Sequence, residues 1–217
     1  MKLSIIIPIY NTWEWLPNIL EKLSNQIPTG DRMLEVILVD DGSDEIPLAL
    51  IKPYVQKLHT PTSNLKLISV FMNHGVSWAR NEGLDKATGD IITFVDSDDD
   101  IEMDYVETVF ENMETGCSYC IYDKYTTPSK QYYRGDRNKL IPDPAVYCYS
   151  FTRECIGKEK FNEKLNVGED IDWLQRVITS KENSRYTRDI IYWYCWHHNK
   201  DSLCKKFNSG KLPKERR

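Results

Sequence analysis

Four carboxylates are crowded into the pentapeptide Asp96-Ser97-Asp98-Asp99-Asp100, which follows an apolar run at residues 91–95. Negative charges this close together at the end of a buried strand repel one another unless a cation neutralises them. Hard divalent ions prefer oxygen ligands and are typically held by one or two protein carboxylates, with water and substrate phosphates completing the shell. The pentapeptide therefore predicts a site for Mn²⁺ or Mg²⁺.

Two other interpretations of these acids stay open. One is a helix cap with surplus, solvated carboxylates. The other is a calcium-binding EF-hand loop, because acids fall at its positions 1, 3, 5, 9 and 12, namely Asp96, Asp98, Asp100, Asp104 and Glu107. Position 6 should be glycine and is Ile101, and the segment before the loop should be a helix but has the pattern of a strand. The EF-hand is therefore disfavoured.

A second acidic motif, Asp40-Asp41-Gly42-Ser43, follows the apolar run at residues 34–39. Asp-Gly is a common turn pair, so a plain turn is one interpretation. The functional interpretation is a carboxylate that accepts hydrogen bonds from a nucleotide base or ribose. The motif stands at the end of a predicted strand, as the pentapeptide does, and this shared placement favours the functional interpretation.

Alternating apolar and helical segments must position these motifs. Runs rich in Ile, Val and Leu predict strands at residues 3–9, 34–39, 65–71 and 91–95. Helices are predicted at 14–25, 47–58, 77–87 and 104–113, with Ser77 as the N-cap of the third. This alternation predicts an α/β protein with a mostly parallel sheet, covered by helices on both faces because the strands are apolar throughout. Such sheets bind ligands at the carboxyl ends of their strands.

The second half of the chain has weaker periodicity. Its pattern predicts a strand at 117–122, a long loop at 126–144, a helix at 169–178 and a strand at 190–196. All six cysteines lie in this half. We expect free thiols, since Cys117 and Cys120 have no second pair at zinc-site spacing.

Composition restricts the class of protein. The chain has 217 residues, 41% of them apolar and 28% charged, which excludes collagen, coiled coil and wholesale disorder. No apolar run approaches the roughly 20 residues that span a bilayer, and the N-terminus lacks the features of a secretory signal, so we expect a cytoplasmic protein. The net charge of −5 argues against nucleic acid as a partner.

The end of the sequence is basic, with seven Lys and Arg against two acids from Lys200 onward. A tail of this kind can bind to the surface of an anionic membrane, with a favourable free energy of about 1 kcal/mol per cation near the surface. A solvated terminus is the alternative. Peripheral contact with the inner face of a membrane is therefore one of two expectations for this segment.

Six short motifs occur in a fixed order along the chain. They are Ser4-Ile-Ile-Ile-Pro8-Ile-Tyr10-Asn11, Val39-Asp-Asp-Gly-Ser43-Asp44, Asn73-His-Gly75 with Ala79-Arg80-Asn81-Glu-Gly83, Ala87-Thr-Gly89-Asp90, Phe94-Val-Asp96-Ser-Asp98-Asp99 and Gly168-Glu169-Asp170-Ile-Asp172-Trp173. In order and spacing they resemble the family 2 glycosyltransferases of the GT-A fold. A looser likeness runs through Tyr194-Cys-Trp-His197-His198-Asn199, although many members carry a basic residue where this chain has Cys195-Trp196.

The resemblance implies a single GT-A domain over residues 1–217, Rossmann-like, with a mostly parallel sheet flanked by helices. Its nucleotide-binding half would span about 1–115, its acceptor half about 116–203, and the basic tail 204–217. The implied contacts to the donor are Pro8, Tyr10 and Asn11 to the base, Asp40 to the base or ribose, Arg80 beside the nucleotide, and Asp96 to ribose or metal. The implied metal ligands are Asp98 and His197, with His198 as the alternative to His197, and the implied general base is Asp170.

The implied reaction is a metal-dependent, inverting transfer of a sugar from a nucleotide-diphosphate donor, with a UDP-sugar expected, to a glycan or lipid-linked acceptor in surface polysaccharide synthesis. A carboxylate that takes the proton of the acceptor hydroxyl suits this reaction. Because the sequence stops soon after its last motif, we expect transfer of a single sugar.

Other interpretations compete with this one. A catalytically silent nucleotide-sugar-binding protein would keep the pocket. A sugar-phosphate nucleotidyltransferase should have a glycine-rich phosphate loop after the first strand, where this chain has Pro8-Ile-Tyr10-Asn11. Asp172 competes with Asp170 for the role of base, and both acids would also suit the first turn of a helix because they complement its dipole.

Overall fold

The computed structural model describes residues 1–127, 131–195 and 208. Within these residues the strands are β1 (Lys2–Ile9), β2 (Met33–Asp41), β3 (Ser63–Val70), β4 (Ile91–Phe94), β5 (Asp100–Ile101), β6 (Tyr119–Thr126), β7 (Gln131–Tyr133), β8 (Tyr149–Thr152) and β9 (Ser184–Tyr194). The α-helices are α1 (Leu16–Ser24), α2 (Leu48–Lys57), α3 (Val76–Lys86), α4 (Tyr105–Met113), α5 (Arg153–Ile156) and α6 (Glu169–Val177). A 3₁₀ turn, Val146–Cys148, precedes β8.

One continuous sheet joins the two halves of the chain, in the order β3-β2-β1-β4-β8-β6-β9-β5, with β7 paired to β6. The first four strands pair in parallel. β8 then pairs antiparallel with both β4 and β6, and β9 returns parallel to β6. The predicted α/β fold is confirmed, with parallel pairing of the first four strands, and the strands of the described residues form one continuous sheet.

β1 lies inside the sheet between β2 and β4, and every residue from Leu3 to Ile9 is buried. Successive side chains of a strand point to opposite faces, so both faces of the sheet are covered here, as predicted. On one face α3 packs closely, because a Cβ added to Gly83 would meet Ile6 Cγ2 at 2.3 Å. This contact fixes α3 next to the sheet edge at which β1, β2 and β4 end.

The second half differs from its prediction in several elements. β9 begins at Ser184, six residues before the predicted start at 190, because residues 184–186 already pair with β6. The side chains of residues 184–189 are partly or fully exposed and mostly polar, so this part of the strand shows no apolar run. The predicted loop 126–144 contains the short strand β7, and β5, β8 and α5 were not predicted. These elements are two to four residues long, too short to show a period in the sequence.

Ser77 is not the N-cap of α3. The helix begins one residue earlier than predicted, and Gly75 occupies the cap position with φ 98°. Glycine reaches this backbone region without strain. The serine instead lies buried inside the first turn.

The five cysteines that the structure describes carry free thiols, as predicted, and Cys204 lies outside the described residues. Across the described ranges no helix is both long enough and apolar enough to cross a membrane.

Candidate active site

A cavity of about 520 Å³ opens at the carboxyl ends of β1, β2 and β4 and is closed on one side by the start of α6. Its walls combine acids, one arginine and aromatic rings. The lining residues that matter most below are Pro8, Tyr10, Asp41, Arg80, Asp96, Asp98, Glu169, Asp170, Tyr147 and Tyr194. This is the sheet edge at which the sequence predicted ligand binding.

Two acids of the predicted metal-binding pentapeptide are structural. Asp100 accepts hydrogen bonds at 2.8 Å from Lys22 Nζ and from Asn18. Asp99 is buried and accepts from the Tyr192 hydroxyl at 2.7 Å and from the backbone N–H of Cys195 at 2.6 Å. These bonds tie the loop to α1 on one side and to the end of β9 on the other.

The other two acids of the pentapeptide, Asp96 and Asp98, line the cavity. Both charges act on the buried Asp99. Burial raises the pKa of Asp99 well above its ordinary value, and the nearby Asp96 and Asp98 raise it further. Repulsion of this kind is relieved by a bound cation. Their oxygen donors also suit a hard divalent ion.

Among the described residues no group of three or more His, Cys, Asp or Glu side chains converges on one point. A Mg²⁺ or Mn²⁺ ion commonly takes only one or two protein carboxylates and completes its shell with water and substrate phosphates. Asp96 and Asp98 therefore fit such an ion. The predicted ligand His197 and its alternative His198 lie outside the described residues.

Asp170 stands at the second position of α6, on the wall of the cavity. Its Oδ1 accepts from Arg80 Nη1 at 2.6 Å and its Oδ2 from the Val146 N–H at 3.1 Å. Burial raises the pKa of Asp170 to about 7, and Glu169 and Asp96 add to the rise, while the cation of Arg80 opposes it. A carboxylate that exchanges its proton near neutral pH is suited to general base catalysis.

The Gly168 that precedes α6 has φ 83°, a left-handed conformation in which a side chain is strained. The helix that follows it places Glu169 and Asp170, the first two residues of α6, in the cavity lining. Asp172, the competing base candidate, instead bonds Arg176 at 2.8 Å on the outer face of α6 and is not part of the cavity lining.

The structure does not bring Asp40 to the cavity. β2 continues to Asp41 rather than ending at Val39, so that Asp40 still lies within the sheet, in register with Ile9 and Ser69. Its side chain is fully buried and accepts from the hydroxyls of Ser43 and Ser69. Asp41 lines the cavity in its place.

Asp41 is held by the loop that follows β3. Its carboxylate accepts from the backbone N–H groups of His74 at 2.7 Å and Gly75 at 2.5 Å. Gly42 comes next, with φ 74°, and a Cβ there would stand 2.6 Å from the backbone of Met72. The two loops therefore touch backbone to backbone, which explains the glycine of this motif.

Of the three residues predicted to contact the base, Pro8 and Tyr10 line the cavity. Tyr10 is 48% exposed, so its ring is accessible at the mouth. Asn11 is not in the lining. It adopts φ 55° and bridges to the next loop, donating to Asp44 at 3.0 Å and accepting from the backbone N–H of Asp44 at 2.9 Å.

Sequence reasoning missed several lining residues. The hydroxyls of Thr12 and Ser97 share a buried hydrogen bond of 2.6 Å that joins the first and fourth strand ends. Tyr147 stacks on Tyr192 with ring centroids 4.3 Å apart, and also on Tyr194. Ser97 lies within the acidic pentapeptide, in which the sequence predicts a role for the acids alone. Tyr147 lies in a segment without periodicity, where no pattern predicts its place.

Comparison with known proteins agrees with this geometry. Residues 4–168 match the model of glycosyl transferase family 2. The uncharacterized glycosyltransferase YibD of Escherichia coli is 26% identical over 99% of this chain and 67% of its own length. A Campylobacter jejuni protein named GalNAc(5)-diNAcBac-PP-undecaprenol beta-1,3-glucosyltransferase is 28% identical over 85% of this chain and 62% of its own length.

Among solved structures, residues 1–349 of Staphylococcus aureus TarS in complex with UDP-GlcNAc align with a TM-score of 0.78 at 20% identity, covering 94% of this chain and 61% of that one. This confirms the predicted GT-A fold. The chain spans about two thirds or less of the length of these relatives, and 15% of another curated relative, Streptococcus pneumoniae GlyA. The family model covers well over half of the chain, which therefore belongs to glycosyltransferase family 2.

Proposed function

We propose that this chain transfers a sugar from a UDP-sugar to the hydroxyl of a glycan or lipid-linked acceptor, with inversion at the anomeric carbon. One observation carries the proposal. A single cavity holds two carboxylates suited to a divalent ion, Asp96 and Asp98, and a third, Asp170, whose pKa of about 7 suits proton abstraction. The metal-dependent transfer proposed here uses both kinds of carboxylate.

Asp96 and Asp98 would hold Mg²⁺ or Mn²⁺ at the donor side of the cavity. When bound, such an ion neutralises the negative charge that develops on the departing nucleoside diphosphate, as a Lewis acid. Pro8, Tyr10 and Asp41 would border the base, with Asp41 taking the place expected for Asp40. His197 stays a predicted ligand.

Asp170 would accept the proton of the acceptor hydroxyl as that oxygen attacks the anomeric carbon. The carboxylate keeps one lone pair on each oxygen beyond those that accept from Arg80 and Val146, so it can receive this proton without losing its anchors. With one base opposite the leaving group, a single displacement inverts the configuration.

The substrates are inferred from the relatives. The TarS neighbour was solved with UDP-GlcNAc, and the Campylobacter relative is named for glucosyl transfer to an undecaprenol-linked glycan. These names support a UDP-sugar donor and an acceptor in polysaccharide synthesis. A cytoplasmic location remains a prediction. Membrane contact through the basic tail also remains one, since residues 204–207 and 209–217 lie outside the described residues.

Calorimetric titration with UDP and with GDP, each with Mn²⁺ and with EDTA, tests the donor site. We expect tight binding of UDP that requires Mn²⁺ and is abolished by Asp98→Ala. Asp100→Asn is the matched control, because it removes a neighbouring charge that pairs with Lys22 outside the cavity lining. UDP binding by Asp98→Ala at wild-type affinity would refute the metal site, and no nucleotide binding by the wild type would refute the donor pocket.

The wild-type protein is then assayed for hydrolysis or transfer with UDP-glucose, UDP-galactose, UDP-GlcNAc and UDP-GalNAc. Turnover of one of them, lost in Asp170→Asn while UDP affinity is kept, supports the enzyme. UDP binding without turnover of any sugar would favour the silent binding protein instead.

A further inference from the structure

The side chain of Arg80 is a buried cation that faces three carboxylates. It is 3% exposed and extends from α3 between the end of β4 and the first turn of α6. Nη1 donates to Asp170 at 2.6 Å and to Glu169 at 3.0 Å, and Nη2 donates to Asp96 at 3.0 Å. The two terminal nitrogens of this guanidinium are thus directed at the protein's own acids, while its buried Nε has no hydrogen-bond partner among the described residues.

We propose that Arg80 is a positioning residue for the general base and not a ligand of the nucleotide. It fixes the carboxylate of Asp170 and ties it to Asp96 on the donor side of the cavity. The inference rests on the proposed function, in which Asp170 is the base. It departs from the expectation that Arg80 contacts the nucleotide.

Two bonds fix the plane of the Asp170 carboxylate. Arg80 holds Oδ1, and the backbone N–H of Val146 holds Oδ2. With both oxygens anchored, the carboxylate has a fixed orientation on the wall of the cavity. Because proton transfer depends on alignment, a misplacement of about 1 Å can cost about 100-fold in rate.

The guanidinium is itself held by an aromatic ring. Its central carbon lies 5.4 Å from the centre of the Phe161 ring, and Phe161 stacks on Trp173 of α6 with centroids 4.6 Å apart. Asn81, the neighbour of Arg80 on α3, accepts from the Phe161 N–H at 2.8 Å. One ring therefore sets the position of both the cation and the helix that carries the base.

Lysine could keep the charge at this position but not the bonds. The planar fork of arginine offers several donors in fixed directions, whereas an ammonium is a compact point charge. Arg80→Lys should therefore keep a positive charge among the buried carboxylates but hold the carboxylate of Asp170 less firmly. The variant therefore distinguishes the effect of positioning Asp170 from the effect of the positive charge at residue 80.

The first test measures UDP affinity with Mn²⁺ by calorimetry, and turnover of whichever of the four UDP-sugars the wild type uses fastest. For Arg80→Lys we expect unchanged UDP affinity and a fall in kcat of about 100-fold. A parallel loss of UDP affinity would overturn the inference, because Arg80 would then act at the donor site, on the nucleotide or through Asp96, and not on the base alone. Retained UDP affinity also shows that the variant is folded.

A double-mutant cycle with Asp170→Asn shows whether Arg80 acts through the base. If it does, Arg80→Lys causes no further loss of turnover in the Asp170→Asn background, whereas independent effects would multiply and contradict the inference. Arg176→Lys is the matched control, since Arg176 also bonds two carboxylates beside α6 but stands outside the cavity lining. Absence of UDP binding in the wild type would mark failure of the proposed function, which is distinguishable from failure in the variants alone.

Discussion

At the scale of single residues, two identical side chains on α6 acquire different chemistry from their surroundings. Asp170 is buried against Arg80, and its pKa lies at about 7. Asp172, two residues on, is 36% exposed and pairs with Arg176 on the surface. The sequence offers both as bases, and only burial and orientation separate them.

This difference predicts the pH dependence of turnover. Burial raises the pKa of Asp170 to about 7, so the carboxylate is protonated and unable to accept a proton at more acidic pH. We expect kcat/KM to rise with pH through about 7 and then level off. Asp170→Asn should lower turnover by about 10² to 10⁴-fold, which is the usual contribution of a general base. Initial rates measured from pH 5.5 to 8.5 provide the test.

Asp172→Asn is the control for this experiment. It makes the same replacement of a carboxylate by an amide in the same helix. We expect this variant to keep both the rate and the pH profile of the wild type. A profile that is flat across neutrality in the wild type would contradict the assignment of Asp170, as would loss of turnover in Asp172→Asn alone.

Glu35 is a second buried acid, but its pKa is lowered, whereas that of Asp170 is raised. Burial by itself would raise it, yet bonds from Lys66, Ser4 and Thr88 outweigh burial and lower the pKa from 4.5 to about 2. The folded state therefore binds this proton less readily than the unfolded state. The resulting stability, about 3 kcal/mol, is present above pH 4.5 and is lost as the pH falls towards 2.

Glu35→Gln tests that stability. The variant cannot ionise, so we expect a lower free energy of unfolding than the wild type at pH 7 and a smaller difference at pH 3. Urea unfolding at both pH values measures the two differences. Glu21→Gln is the control, because Glu21 pairs with Lys57 on the exposed surface. A deficit of Glu35→Gln that is equal at the two pH values would contradict the linkage.

At the scale of elements, the contact between α3 and β1 sets the distance from Arg80 to the strand ends. Ala in place of Gly within a helix normally adds about 1 kcal/mol of stability. Here the added Cβ of Gly83→Ala would meet Ile6 Cγ2 at 2.3 Å, so we expect a loss of about 1–3 kcal/mol instead. Thermal unfolding of Gly83→Ala, alone and with Ile6→Ala, measures it.

The double variant is the sharper of these two measurements. Ile6→Ala removes the atom that collides, so Gly83→Ala should cost less in its presence than in the wild type. Equal costs in both backgrounds would show that the collision is not the cause.

The elements that sequence could predict are those buried on both faces. β1, β2 and β4 are near-continuous apolar runs because both of their faces are covered, and the acids that follow the runs of β2 and β4 mark the ligand edge. The start of β9 is half exposed and carries polar residues, so it has no such run. β5 and β8 are defined by their partners rather than by their own sequence.

The candidate site was predictable to the same degree. Acids at strand ends and at the start of α6 are local signals, whereas the choice between Asp40 and Asp41 depended on where β2 ends, and a shift of one residue reverses the direction of a side chain. The bonds of Asp99 to Tyr192 and Cys195 join residues 93 and 96 positions apart, which no local pattern reveals.

At the scale of the whole molecule, the nucleotide-binding half depends on the rest of the chain. β4 pairs with β8 on one side, and the acid loop, residues 96–100, is anchored to the end of β9 through Asp99. We therefore expect that a fragment of residues 1–115 shows neither a cooperative thermal transition by circular dichroism nor Mn²⁺-dependent binding of UDP. The full chain, purified in the same way, is the control. A fragment that binds UDP as tightly as the full chain would show that the half is autonomous.

The same anchoring of Asp99 has a consequence for synthesis on the ribosome. The acid loop emerges 96 residues ahead of Cys195, an interval on the order of 5–20 s at ordinary elongation rates. During that interval Asp99 lacks its partners Tyr192 and Cys195, and β4 exposes an unpaired edge of the kind that promotes aggregation. The nascent protein therefore passes through a stage in which the strand that leads into the acid loop is exposed to aggregation until the second half of the chain has been made.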